Sequence, residues 1–311
     1  MTIDYLVTHN GGFHADELLS SVVLTRLHPG ARLVRSRAND WITPGADRII
    51  YDVGRDHDPA RGIFDHHQPN PPKREDGTPL SSFGLVWGAF GRDYLRALAV
   101  PERDLEVIHE SVDRGFVRPI DLVDNGALSP AAAGPELAEL VLPALLESLK
   151  PVFDAREDGA EDRAFEGALA VARAFLEAAV ARRAAKWRAD GMVVAAIAAA
   201  GAGRVLELPM GMPFRSAVVR EGADHLLFVV APRETDWSIT GIRQAEEGFA
   251  LRADLPARWA GLTDAALEAA SGVEGARFCH NARFIAVAAT REAALRMAAI
   301  AVAEAEAGVA G

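Results

Sequence analysis

The chain has 311 residues, half of them hydrophobic and a quarter charged, and its 33 basic and 44 acidic residues give a net charge of −11. That length suggests two domains, and the acidic balance excludes a basic arm or stripe for long nucleic acid. The single cysteine, Cys279, excludes an intrachain disulfide and fits a reducing cytoplasm, and the longest apolar stretch, 192–202, is too short to span a bilayer.

The start, from Met1 to Tyr5, shows no charged-then-apolar leader pattern. Ile3 to Thr8 reads as a buried strand, followed by a glycine turn at Asn10-Gly11-Gly12 and by helical spacing of Leu18, Leu19, Val22, Val23 and Leu27 over 15–27. Arg48 to Val53 and Gly62 to Phe64 read as further strands, the first carrying Asp52 at its end and the second running into Asp65-His66-His67. Residues 68–79 form a polar loop, and 82–98 and 102–116 read as helices. The alanine-rich segment 130–190 is helical, with an acidic break at 156–162. From Gly191 the pattern changes to short β runs at 192–194, 204–208, 217–219, 226–230 and 237–243, before a final helix over 291–306 capped by Thr290. Together these predict an α/β chain. A mainly parallel sheet occupies an N-terminal domain over 1–130, a helical connector spans 131–190, and a smaller α/β domain covers 191–311.

Six of the nine histidines lie within the first 67 residues, and four of those six stand in short clusters with aspartates: His9, His14 and Asp16 in THNGGFHADE, and His66 and His67 after Asp65 in FDHH, with Asp52 between them in YDVG. Imidazole and carboxylate are the ligands that borderline divalent ions take in water-activating sites. Each cluster follows or ends an apolar run, so each can be held at a strand end, where open α/β sheets place their sites. A carboxylate such as Asp52 can bridge two ions about 3.5–4 Å apart. His66 and His67 are adjacent, so one is expected to ligate and the other to meet the substrate. Glu17 divides evenly between capping the first helix and ligating a metal. His28, His57, His109 and His225 read as ordinary polar positions, and Cys279 beside His280 reads as a buried thiol with no triad partner. Over 1–130 there are 14 basic and 19 acidic residues. With the six candidate metal-site acids in that segment set aside, the remainder balances, so bound dications would make this half favourable to phosphate.

Asp65-His66-His67 after a strand, with the His9/Asp16 loop and Asp52, resembles the DHH phosphoesterase superfamily, which includes RecJ-type exonucleases, manganese-dependent inorganic pyrophosphatases and oligoribonucleases that also cleave cyclic dinucleotides. The finer pattern is similar to its Myg (melanocyte-proliferating-gene) branch, carried by THNGGFHADE at 8–17, YDVG at 51–54, FDHHQ at 64–68, SSFGLVW at 81–87, IDLVDNG at 120–126, LPARWAGL at 255–262 and the stretch 275–298. This branch is described as metal-dependent hydrolases, its eukaryotic members as 3′–5′ RNA exonucleases. The resemblance implies one ion held by His9, His14 and Asp52 and another by Asp16, Asp52, His66 and either Asp121 or Asp124, with Asp124 preferred. It implies that His67 meets the scissile phosphate, that Asp65 orients His66, and that His280 and Arg283 of a substrate domain contact the substrate across an interdomain cleft.

The expected function is a phosphoesterase with two divalent ions, manganese first and magnesium or another divalent ion otherwise, acting as an exonuclease on short single-stranded RNA or DNA. Two other readings stand beside it: a phosphoesterase for a dinucleotide, a nucleoside phosphate or pyrophosphate, and a metal-stabilised binding or regulatory protein. A short nucleic acid or nucleotide is the expected partner, with no long duplex and no membrane, in a cytoplasmic protein for which a homo-oligomer is left open.

Overall fold

The structure is a computed structural model that describes residues 2–132, 134–155, 157–245 and 248–309. Arg156, which opens the expected acidic break, lies outside them. The chain divides into two compact units, Met1–Ala184 and Ala185–Gly311.

The first unit is built on a five-stranded sheet. Its strands are β1 (Tyr5–Thr8), β2 (Arg32–Arg35), β3 (Arg48–Tyr51), β4 (His57–Asp58) and β5 (Ile63–Phe64), in the order β2-β1-β3-β5-β4. All neighbours are parallel except β4 and β5, and the register pairs Tyr5 with Arg32 and with Arg48, and Tyr51 with Phe64. From β1 the chain runs through α1 (Ala15–Leu27) out to β2, then through the short α2 (Asn39–Ile42) back to β3 on the other side of β1. That reversal opens a crevice at the carboxyl ends of β1 and β3, where ligands bind in sheets of this kind. β2 is a strand that the periodicity did not single out; it forms the edge beyond β1.

Helix α1 is buried on every side from Ala15 to Leu24, its leucines and valines in the core and its polar Asp16, Glu17, Ser20 and Ser21 buried with them. It packs against α3 (Ser82–Ala97), whose Phe83, Val86, Trp87, Tyr94 and Leu95 fill the same core. The expected helix over 102–116 is α4 (Leu105–Val112), which continues through a π turn at Asp113–Val117 into α5 (Arg118–Asp124). Pro119 has no N–H to give to the carbonyl four residues earlier, and the widened turn stands where a regular helix would crowd the proline ring. Gly84 on α3 makes room for α5: a Cβ there would lie 2.5 Å from Asp121 Oδ1 and 2.7 Å from Leu80.

The alanine-rich segment contains α6 (Leu142–Glu147) and the long α7 (Ala160–Ala200). Phe165, Ala168, Ala172, Leu176, Val180 and Ala184 recur every three or four residues and are buried in the first unit's core. The β run expected at Met192-Val193-Val194 is instead the last part of α7. β-branched residues cost a helix only tenths of a kcal/mol each, and the alanines around them favour continuation. Val193 buries its side chain against Leu206 and Leu208 of the second unit.

The second unit has its own sheet: β6 (Val205–Glu207), β7 (Phe228–Pro232), β8 (Trp237–Gly241), β9 (Ala276–Cys279) and β10 (Ile285–Ala288), ordered β6-β7-β8-β10-β9. Only β6 and β7 are parallel. The run Ala217-Val218-Val219, expected as a strand, is helix α8 (Arg215–Arg220), which buries Ala217 and Val218 and leaves Val219 exposed. A three-residue apolar run carries no period long enough to tell helix from strand. Helices α9 (Asp264–Ser271) and α10 (Arg291–Val309) complete the unit, and Thr290 Oγ1 accepts from Ala293 N at 3.2 Å as its capping role requires. Among the described residues no helix is long and apolar enough to cross a membrane.

Candidate metal centre

The three clusters of the first 67 residues meet at the carboxyl edge of the first sheet. His9 follows β1, Asp52 follows β3, and Asp65-His66-His67 follow β5. Asp16 and Glu17 lie in the first turn of α1, and Asp124 comes from the end of α5. All line, or lie beneath, a cavity of about 710 Å³ whose walls include His14, Arg37, Arg55, Ile120, Val123 and Glu147.

Asp52 is central. It adopts a left-handed backbone at φ 56°, a conformation that aspartate tolerates better than most non-glycine residues. Its two oxygens face different partners: Oδ2 is 3.1 Å from His9 Nε2 and Oδ1 is 3.3 Å from His66 Nε2. His9 Nε2 is also 3.2 Å from Glu17 Oε1, while His66 Nε2 is 3.5 Å from Asp124 and 3.8 Å from Asp16. One ring nitrogen thus faces two carboxylates and the other faces three.

These approaches are short, yet the donors are not aligned with all their acceptors. Asp16 Oδ1, Glu17 Oε2, Asp52 Oδ1 and Asp124 Oδ2 are buried oxygens without a hydrogen-bond partner among the described residues. Such orphaned groups cost stability unless something else satisfies them. The electrostatics agree. Burial, followed by the charges of Asp16 and Asp52, pushes Asp124 up to about 9. Burial likewise raises Asp16, and lifts Glu17 to about 8. Burial also acts against Asp52, but His66 and His9 hold it down to about 2. Burial would lower both histidines, yet the adjoining carboxylates lift His9 to about 10 and His66 to about 9. Four carboxylates crowd around two imidazoles, a concentration of buried acids of the kind that divalent cations offset.

The donor set fits divalent ions. One group of atoms close enough to share an ion comes from His9, His14 and Glu17; others come from Asp16, Glu17 and Asp52, from Asp16, His66 and Asp124, and from Asp52, Asp65, His66 and His67. His9 Nδ1 lies 3.1 Å from the Asn10 carbonyl, to which it donates, leaving Nε2 for the cluster. A carbonyl that fixes the tautomer in this way is usual behind a ligating histidine. Ser82 Oγ donates to Asp16 Oδ2 at 2.8 Å and holds that carboxylate in place.

Glu17 caps the first helical turn and also lies within the cluster of candidate ligands. Its Oε1 accepts from His14 N at 2.7 Å, closing the first turn of α1, and the side chain is wholly buried against His9. Of the two aspartates of 120–126, Asp124 joins the cluster and Asp121 does not. Asp121 is committed elsewhere: Oδ1 accepts from Ser81 N and Oγ, and Oδ2 from Arg74 at 2.6 Å. One helical turn separates them, but only Asp124, at the end of α5, reaches past the helix to His66.

Asp65 orients His67 and not the ring of His66. Its Oδ1 lies 2.7 Å from His67 Nδ1 and also accepts the backbone N–H of His66 and His67, while Oδ2 takes Arg55 N at 2.5 Å. Neighbouring Asp65 raises His67. The His67 side chain is 56% exposed, so its second nitrogen remains open to the cavity.

Two cations on the cavity wall, Arg37 and Arg55, were not singled out by the sequence. Their side chains have no hydrogen-bond or ion-pair partner among the described residues. A cation two residues past a strand that was itself unrecognised, and another three past Asp52, offer no motif. Their signal is positional, since both stand at strand ends beside the clusters.

In the second unit, His280 and Arg283 share the turn between β9 and β10. Arg283 has φ 56° and pairs with Asp254 at 2.6 Å, and the His280 ring packs on Phe284 at 4.4 Å. Cys279 is buried and its thiol is pushed up to about 11 by that burial, which leaves it unreactive.

A switch-point crevice in a mainly parallel sheet, floored by convergent carboxylates and imidazoles, defines an α/β protein with a candidate metal-dependent hydrolytic centre. A family model for MYG1_exonuc, described as "Uncharacterised protein family (UPF0160)", matches residues 5–302. The chain belongs to this MYG1 family. It is 31% identical to a MYG1 protein of Schizosaccharomyces pombe over 314 residues, covering 94% of this chain and 95% of that one. It is likewise 31% identical to the MYG1 exonuclease of Homo sapiens over 330 residues, covering 94% and 84%. Among solved structures, RecJ of Thermus thermophilus in complex with Mn2+ matches at 18% identity with a TM-score of 0.27, over 96% of this chain and 52% of that one, so this chain spans about half the RecJ chain's length. Membership of the MYG1 family places the protein among hydrolytic enzymes.

Proposed function

We propose that the protein is a metal-dependent phosphodiesterase that removes nucleotides from an end of short single-stranded RNA or DNA, in the 3′–5′ direction that the resemblance implies. The observation that carries this reading is the convergence of Asp16, Glu17, Asp52 and Asp124 on His9 and His66, with four orphaned carboxylate oxygens at the floor of an open cavity. The human and rat relatives are named exonucleases.

His9, His14 and Glu17 would hold one ion, and Asp16, His66 and Asp124 another, with Asp52 offering an oxygen to each group. Manganese is the first candidate for both. Such ions supply Lewis acidity toward a phosphoryl oxygen and lower the pKa of water. The chain's own residues do the rest. His67, held by Asp65 through Nδ1, presents its other nitrogen to the phosphate and can donate a proton there. Arg37 and Arg55 attract the phosphate and offset the carboxylates' field. His280 and Arg283 are proposed substrate contacts in the second unit, for which Arg283 would exchange Asp254 for a phosphate. The net charge of −11 favours short ligands, because affinity for long nucleic acid needs many cationic contacts.

A second reading keeps the chemistry and shortens the substrate to a dinucleotide or nucleoside phosphate. A cavity of about 710 Å³, within the size range of small-molecule sites, favours it. The test is a panel of a single-stranded oligonucleotide, a dinucleotide, a nucleoside monophosphate and pyrophosphate, run on chelator-treated protein with and without manganese. Metal-dependent shortening of the oligonucleotide from one end is expected. Full activity in metal-free protein, or no phosphodiester cleavage with metal, overturns the proposal.

A further inference from the structure

A second concavity of about 410 Å³ opens beside the metal pocket, and Ile120, Val123 and Pro143 line both. Its other walls come from the π turn before α5 and from the chain between α5 and α6, chiefly Phe116, Leu128, Leu137 and Val141. Among the described residues, Ser129 is the only lining residue with a polar side chain. Leu128 and Leu137 are 45% and 55% exposed at its rim, although burying them would stabilise the fold. Helix α5 is the common wall. Asp124 faces His66 in the charged pocket, and Val123, the residue before it, faces the groove. Carboxylate and apolar surface are therefore one residue apart.

We infer that this groove is the nucleobase subsite of the hydrolytic centre, taking the flat face of the base attached to the nucleotide whose phosphate sits at His67 and Asp124. The inference rests on the phosphoesterase reading and adds to it. Three points support a base over another occupant. The groove adjoins the pocket that receives the phosphate, sharing Ile120, Val123 and Pro143 with it. Its volume of about 410 Å³ lies within the range of small-molecule sites. Its lining offers an aromatic ring and aliphatic side chains with almost no hydrogen-bonding group, which is how proteins hold bases through their faces. Such a site distinguishes a nucleotide from a bare sugar phosphate but reads no base identity. Arg37 and Arg55 would then serve the phosphates, and the groove would serve every base alike.

The probes are AMP, UMP and ribose 5-phosphate, titrated calorimetrically into manganese-loaded full-length protein. Wild type is expected to bind both nucleotides roughly fivefold to hundredfold more tightly than ribose 5-phosphate. The double variant Leu128→Ser/Leu137→Ser should bring that ratio close to one; Val141→Ser should reduce it in part and serves as an independent second variant. A wild-type ratio near one, or a ratio untouched by both variants, overturns the inference. So does a strong preference for one base, which would require polar readout that the groove lacks. If nucleotides bind no better than ribose 5-phosphate and the leucine substitutions dissolve a dimer seen by sedimentation, the groove belongs to a second copy of the chain and the inference falls. Hydrolysis is measured separately. Preference for nucleotides over ribose 5-phosphate without any phosphodiester cleavage defeats the phosphoesterase reading alone, and cleavage without that preference defeats the subsite alone.

Discussion

Asp65 and His67 are joined through Oδ1 and Nδ1 at 2.7 Å, and the same carboxylate gathers three backbone N–H groups, from Arg55, His66 and His67. One buried side chain therefore fixes both the ring of His67 and the loop that carries Arg55. Asp65→Asn keeps the shape but loses the charge. Exchanging a charge-assisted hydrogen bond for a neutral one is worth about 1–2 kcal/mol, roughly a fivefold to thirtyfold fall in kcat/KM. If Asp65 works through His67, the Asp65→Asn and His67→Ala effects will not multiply in the double variant. Fully multiplicative losses would mean that the two act separately.

Asp52 and His67 should separate metal loading from turnover. Asp52 offers an oxygen to each side of the cluster, whereas His67 is half-exposed and tied to Asp65. Asp52→Asn is expected to lower bound metal per chain, measured by elemental analysis, and to remove most activity. His67→Ala should retain the metal and lose rate. Wild-type metal content in Asp52→Asn would take the bridging position away from Asp52.

A third expectation concerns pH and lies outside the metal centre. His109 is buried between α4 and α3; its ring stacks on Trp87 at 5.3 Å, and Nε2–H donates to the Trp87 carbonyl at 3.2 Å. Burial lowers its pKa. The folded state therefore binds its proton less readily than the unfolded chain, whose value is about 6.5. Above that pH His109 is neutral in both states and contributes no pH dependence. Stability falls as the pH drops below it, and the loss levels off once the folded-state pKa is passed. His109→Gln keeps a donor for Trp87 without the titration. The stability advantage of wild type over this variant, from urea midpoints at fixed m, should shrink between pH 8 and pH 5. A constant difference would place His109 in water.

Much of the centre was legible because its residues sit next to the chain's clearest periodic signals. Ile3–Thr8, Arg48–Val53 and Gly62–Phe64 are apolar runs with His or Asp at or just past their ends, and β1, β3 and β5 lie within them. Less legible was anything decided by helix geometry at a helix end. Asp121 and Asp124 are equivalent in spacing. Only the positions of Ser81 and Arg74, brought in from α3 and the loop before it, assign one to structure and leave the other for the cluster. Asp65 was expected behind His66 because the two are adjacent, but the backbone turns so that the next ring meets the carboxylate. In the second half, Met192-Val193-Val194 and Ala217-Val218-Val219 have β-branched composition, yet both are helical. Three residues carry too little period to outweigh the context, which in the first case is a run of helix-forming alanines.

Gly84 contributes no atom that a metal or substrate could touch, yet the first turns of α3 depend on it. Ser81 there binds Asp121 and Ser82 binds Asp16, while the absent Cβ at 84 is what lets the Asp121 carboxylate come so close. Natural drift at this position is therefore constrained by neighbours and not by chemistry. A lineage that acquires a side chain at 84 must at the same time shorten or lose the acid at 121 or trim Leu80, and these positions are expected to change as a group or stay as they are.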